Sequence, residues 1–168
     1  MAAAGRVAGD IGGTQVRHGT KETAGYVVNG LSIALFWYLV SALGVPASLQ
    51  PLSCVGLVLL AIGLCLVALS IAALVRNRGA GLVERGVYSI VRHPMYVGAM
   101  ILFASFFFFC PHWIMLLISL VNIAIVYSFI LQGELQNVAR FGDAYRRYME
   151  SVPRVNFLAG ILGRLRSR

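Results

Sequence analysis

Two long stretches of the chain carry no Asp, Glu, Lys or Arg: residues 23–75 and 93–133. A helix needs about 20 residues to cross a hydrocarbon core of roughly 30 Å, so each stretch has room for two spans. The first breaks at Gly44-Val45-Pro46-Ala47-Ser48-Leu49-Gln50-Pro51, where two prolines interrupt it without any charge. The second breaks at Cys110-Pro111-His112-Trp113. Helix-breaking residues at these points predict spans over 25–43, 52–75, 95–109 and 113–132. The third is short, about 22 Å at roughly 1.5 Å per residue. Beyond it, Leu135, Val138, Phe141, Tyr145, Tyr148, Met149 and Val152 recur at helical spacing. Arg140, Arg146 and Arg147 stand between them, which predicts an amphipathic helix over 134–152 at the membrane surface. Gly142-Asp143 is expected to break this helix and Pro153 to end it. The fold class is therefore all-α: an integral membrane bundle of about four transmembrane helices with a C-terminal amphipathic surface helix. The expected layout is a mobile extension over 1–24, a membrane domain over 25–157 and a basic tail over 158–168.

Composition agrees with the pattern. The chain is 59% hydrophobic and 12% charged, where soluble domains run to roughly half apolar and about a quarter charged. The net charge is +8, a balance that elsewhere suggests nucleic acid. Here all 14 basic residues lie outside the two charge-free stretches, the layout of membrane spans with basic flanks. Nucleic acid is accordingly not expected as a partner. The short turns near 44–51 and 110–112 have no basic residue, whereas the head, the 76–92 loop and the tail do. By the positive-inside rule both termini and that loop face the cytoplasm. Arginine outnumbers lysine 13 to 1, a bias that points to a GC-rich bacterial genome and so to a bacterial inner membrane. Cys54, Cys65 and Cys110 all lie in apolar runs without metal-ligand or redox spacing, so no metal is expected.

The chemistry-bearing residues fall in the loop and the tail. The loop reads Gly86-Val-Tyr88-Ser-Ile-Val-Arg92-His93-Pro94-Met95-Tyr96-Val-Gly98. Pro94 suits the first turn of a helix. Arg92 and His93 then stand before a helix N-terminus, a position that favours anions. Tyr88 and Tyr96 offer aromatic faces to a cation or a purine ring, and Gly86 and Gly98 permit close backbone approach. Arg and Tyr are equally at home as plain anchors at a membrane interface.

The pattern G-x-Y-x-x-x-R-H-P-x-Y-x-G at the mouth of a membrane hairpin resembles the isoprenylcysteine carboxyl methyltransferase and phospholipid methyltransferase family. A second motif, Phe141-Gly142-x-x-Tyr145-x-x-Tyr148-x-x-x-Val152-Pro153-Arg154, is similar to that family's ending. The two motifs and the hairpin between them span about residues 76–157. The resemblance implies an all-helical membrane enzyme using S-adenosylmethionine at the cytoplasmic face and releasing S-adenosylhomocysteine. Its cofactor contacts would be Leu82, Val83, Tyr88, His93, Pro94, Met95 and Tyr96. The family also uses an acidic pair at the end of the hairpin. This chain departs from that, carrying Gly133-Glu134, so Glu134 alone remains for the role. Arg92 and Glu134 are the expected catalytic pair, Arg92 by orienting an acidic substrate group, and His93 or Glu134 by assisting deprotonation of a thiol or amine. The substrate is expected to be lipid-like or a small hydrophobic carboxylate, amine or thiol, reached among membrane lipids. Membrane sterol reductases, which use NADPH, look similar near R-H-P-x-Y. They tend to carry Asn after the proline and an acid after the glycine, where this chain has Met95 and Ala99. A non-enzymatic membrane protein that retained the fold is the remaining alternative.

Three isolated residues also invite a reading. Glu134 lies near a helix C-terminus, where the dipole disfavours it, so it needs a partner: Arg92, a ligand ammonium or interfacial water. Asn122 inside the fourth span is expected to make an interhelical hydrogen bond. His112 is expected to be an interfacial side chain.

Overall fold

The computed structural model describes residues 11–43, 49–77 and 81–166. Six α-helices follow one another: α1 (Ile11–Leu43), α2 (Gln50–Arg76), α3 (Pro94–Phe109), α4 (Trp113–Phe141), α5 (Asp143–Ser151) and α6 (Phe157–Arg166), with a 3-10 turn at Gly86–Ser89 ahead of α3. Three of them hold segments long and apolar enough to cross a membrane: Thr23–Leu43, Gln50–Arg76 and Trp113–Phe141. α3 is a shorter apolar helix of 16 residues, about 24 Å long at roughly 1.5 Å per residue. The chain is thus an all-helical membrane bundle.

Two boundaries differ from the sequence expectation. Residues 11–24, expected as an extension, are helical and continuous with the first span. Residues 134–141, expected to begin a separate surface helix, instead extend α4 to Phe141. Nothing in that stretch breaks a helix until Gly142, whose positive φ of 56° turns the chain into α5. The expected basic tail over 158–168 forms most of α6. Residues 1–10 and the first inter-span turn over 44–48 lie outside the described residues.

Packing is inverted relative to a soluble bundle. On α2 the buried residues are Gly56, Gly63 and Ser70, seven apart, while Leu57, Val58, Ile62, Leu64 and Ile71 are exposed. Lipid tails are as apolar as leucine, so nothing drives large side chains inward. Close approach of backbones does the work instead. A Cβ on Gly63 would lie 2.8 Å from the Gly98 carbonyl oxygen, and one on Gly98 would lie 2.8 Å from that of Gly63. At Gly56 the same stripe receives Phe108 and Phe109. The pairing is antiparallel, so the end of α2 and the start of α3 share one end of the bundle.

α4 returns alongside. Phe36 of α1 stacks on Phe106 of α3 with ring centroids 4.2 Å apart, within a core that includes Phe103, Cys110, Met115 and Val126. Asn122, wholly buried, donates from Nδ2 to Ser32 Oγ of α1 at 2.9 Å and to the Ile118 carbonyl at 2.7 Å. This is the interhelical bond expected of it. His112 caps α4, its Nδ1 accepting from the Ile114 N–H at 3.3 Å.

The crossing of α2 and α3 gives a direct test. Gly98→Ala or Gly63→Ala should each cost about 1–3 kcal/mol by overpacking, read as a lower Tm of detergent-solubilised protein. Gly30→Ala, where a Cβ meets nothing within 4 Å, should not lower it.

Candidate functional site

The loop that follows α2 is shaped by Gly86, whose φ of 64° suits no other residue type well and starts the 3-10 turn. The turn brings Tyr88 against the end of α5: the Tyr148 hydroxyl donates to the Tyr88 carbonyl at 2.5 Å. Four residues on, the Arg92 N–H donates to the Pro153 carbonyl at 3.0 Å. The end of α5 and the segment after it are therefore pinned to the loop on either side of Ile90. Pro94, fully buried, opens α3 at a position where a missing N–H costs nothing.

These ties close a charged cluster around Glu134, which is only 6% exposed. Arg92 Nη2 stands 3.2 Å from Glu134 Oε1, and Arg154 Nη2 stands 2.7 Å from Oε2. His93 Nε2 lies 3.4 Å from Oε1, an electrostatic neighbour rather than a well-formed hydrogen bond. Arg154 Nη1 also reaches the Tyr127 hydroxyl at 3.3 Å. Glu134 is thus a buried carboxylate held between two guanidinium groups, not a solvated surface acid. Burial lowers the His93 pKa below its ordinary 6.5, outweighing the opposing pull of Glu134. A neutral imidazole leaves two positive charges facing one negative. Arg92 retains buried Nε and Nη1 atoms with no hydrogen-bond partner among the described residues. Such atoms are costly unless a ligand meets them.

Two cavities flank this segment. A polar cleft of about 230 Å³ is lined by Leu82, Val83, Tyr88 and Arg92 from the loop, by Asn137, Arg140 and Phe141 from α4, and by Tyr145 and Tyr148 from α5. Burial, and after it the neighbouring Tyr96, pushes the Tyr88 phenol up to about 12. Burial likewise raises Tyr145 and Tyr148, so all three stay protonated donors. The second cavity, about 930 Å³, lies within the bundle between α1, α2, α3 and α4. Phe36, Phe103, Phe106 and Phe129 dominate its wall, and Asn29, Gln50 and Ser53 are among its few polar side chains.

The expected site residues divide between these spaces. Leu82, Val83, Tyr88 and Arg92 line the polar cleft, and Met95 and Tyr96 line the apolar cavity. His93 faces Glu134, and Pro94 is packed inside. Arg154, Asn137, Arg140, Phe141, Tyr145 and Tyr148 are also at the cluster or the cleft, beyond the residues expected from sequence. For four of these the signal was present, since Phe141, Tyr145, Tyr148 and Arg154 all stand in the second motif. Asn137 follows Glu134 by three residues and Arg140 follows Asn137 by three, so helical spacing makes each a neighbour of the one before.

A family model for phospholipid methyltransferases matches residues 52–141, more than half of the 168-residue chain. The chain belongs to the phospholipid methyltransferase family. The match runs from α2 to the end of α4 and includes the first motif and Glu134, while the second motif lies beyond it except for Phe141. No curated protein and no solved structure shows significant similarity. Membership in this family and the apolar helices together identify a methyltransferase-type integral membrane protein and support contact with lipid.

The cluster makes two predictions. Glu134→Gln leaves Arg92 buried without its carboxylate, a change that should cost about 3–5 kcal/mol, seen as a large drop in Tm that Glu134→Asp partly restores. The second concerns pH. A histidine whose folded pKa lies below 6.5 stabilises the fold fully above that value and loses the contribution as pH falls through the folded pKa. Tm should therefore drop between pH 7 and 5, with a shallower slope in His93→Gln.

Proposed function

We propose that this protein is an S-adenosylmethionine-dependent methyltransferase acting on a lipid-like or small hydrophobic substrate at one face of the membrane. The observation that carries the reading is the division of residues 92–96: Arg92 borders a polar cleft, and Met95 and Tyr96 border an apolar cavity inside the bundle. A reaction between a water-soluble and a lipid-soluble partner needs two such spaces meeting at one segment. Bringing the partners together is then the main catalytic contribution.

The cleft suits the cofactor chemically. Arg92, which lines it and has nitrogens without a partner among the described residues, matches a carboxylate. The aromatic faces of Tyr88, Phe141 and Tyr148 match a purine, and Asn137 adds an amide. When bound, the cofactor supplies a methyl group on a sulfonium centre, an electrophile that requires neither metal nor covalent enzyme intermediate. Arg92 orients the anionic end of a bound ligand. Glu134, expected from the sequence to act directly, is better read as a positioning residue, because each of its oxygens faces an arginine. His93, kept neutral by burial, is the group in the cluster that can take up a proton from an acidic nucleophile. Phenylalanine-rich walls exclude water from the substrate side. The basic flanks favour a cytoplasmic orientation for this end of the bundle and for both termini, and the arginine bias favours a bacterial inner membrane.

Equilibrium binding to detergent-solubilised protein tests the reading. S-adenosylhomocysteine should bind, and Arg92→Gln or Tyr88→Ala should weaken it by tenfold or more, a loss of about 1.4 kcal/mol or greater. NADPH binding without S-adenosylhomocysteine binding would contradict it. A labelled-methyl assay with native membrane extract as the substrate pool should place label in the lipid fraction or in a small hydrophobic product.

A further inference from the structure

The last helix has no part in either cavity, yet it is built with two distinct faces. Leu158, Ile161, Leu162 and Leu165 fall at i, i+3, i+4 and i+7, on one side of α6. All four are exposed, Leu158 at 74% and Leu165 at 64%. Gly160 lies on the opposite side, buried, and a side chain there would run into the Ile90 carbonyl. The helix therefore docks through a glycine onto the loop ahead of α3 and turns its leucines away. Asn156 starts it, Oδ1 accepting from the Ala159 N–H at 3.0 Å. Arg164 adds a second tie, donating from Nη1 to the Ser89 hydroxyl. From residue 151 to 168 the sequence has four arginines and no acid.

We propose that α6 is an interfacial helix that seats its leucine face in an anionic lipid surface and thereby braces the Gly86–Ile90 loop. Position, polarity and charge agree on that partner. Ile90 precedes the apolar α3 by four residues, so α6 sits where the bundle meets the headgroups. A short helix with an apolar face and arginine-only charge lies in the interface plane. Acid-free basic segments next to a membrane favour anionic headgroups. The bond from Arg164 to Ser89 and the seat of Gly160 on Ile90 hold the end of the loop directly after Tyr88, which lines the polar cleft. The inference rests on this packing and not on methyl transfer.

Single cysteines at Leu158, Leu162 and, on the other side, Gly163 test it in a chain lacking Cys54, Cys65 and Cys110. Each carries a fluorophore and is titrated with acrylamide in nanodiscs of phosphatidylcholine alone or mixed with phosphatidylglycerol. In the anionic discs, quenching at Leu158→Cys and Leu162→Cys should be several-fold weaker than at Gly163→Cys. This protection should shrink in pure phosphatidylcholine and at high salt. Equal quenching at all three sites would overturn the proposal, because no face would be buried in lipid. Equal protection in both lipids would overturn the anionic preference, and protection that persists in dilute detergent would point to a second copy of the chain instead. If one labelled variant does not fold, Ile161→Cys reports on the same face. Binding of S-adenosylhomocysteine does not enter the readout, so loss of the methyltransferase reading would leave this result intact.

Discussion

A carboxylate buried at the membrane end of α4 organises this molecule's polar end. Glu134 cannot sit at that depth alone, and it is met by Arg92 from the start of α3 and by Arg154 from the segment after α5. The buried Arg92 would not be placed there without it, since an unpaired buried charge is expensive. Three separate parts of the chain are thus drawn to one point. The backbone bond from Arg92 to Pro153 and the hydroxyl bond from Tyr148 to Tyr88 fix the same parts in register. The cluster carries an excess of one positive charge, and Arg92 Nε and Nη1 are left without a hydrogen-bond partner among the described residues.

The clamp works because the helices beneath it approach closely. The Gly56, Gly63 and Ser70 stripe lets α3 lie against α2, which brings the Arg92–His93 corner over the end of α4. Gly98 therefore serves the crossing, although it belongs to the same motif as Arg92. The apolar cavity is the complement of this arrangement: α2 and α3 touch through small residues, and space remains toward α1 and α4 behind phenylalanine side chains. Close contact on one side and open volume on the other give a lipid-soluble molecule room beside the polar cleft.

Much of this was legible in the chain before any coordinates. Charge-free stretches and their proline breaks located the spans, because the bilayer tolerates little else. The resemblance to a methyltransferase family named residues that do line the cleft, such as Tyr88 and Leu82. What sequence could not show was which side of each helix faces inward. α2 is apolar all round, and hydrophobicity carries no inward signal when the solvent is lipid. The seven-residue spacing of its small residues did hold that information. Arg154 went unassigned for another reason: it lies 20 residues from Glu134, and only the turn at Gly142 and the bend after Ser151 bring it back. For Glu134 the sequence offered Arg92, a ligand ammonium or water as partner, and the geometry sets Arg92 and Arg154 beside its two oxygens.

The proposed cofactor site lies between the loop and the α4–α5 corner, beside the Glu134 cluster and outside the apolar cavity. Photolabelling with an azido-adenine analogue of S-adenosylhomocysteine, followed by peptide mapping, addresses it directly. Label on peptides containing residues 82–92 or 137–148, displaced by excess S-adenosylhomocysteine, is the predicted result. Displaceable label on the walls of the apolar cavity, in α1 or in the middle of α3, would rule that site out.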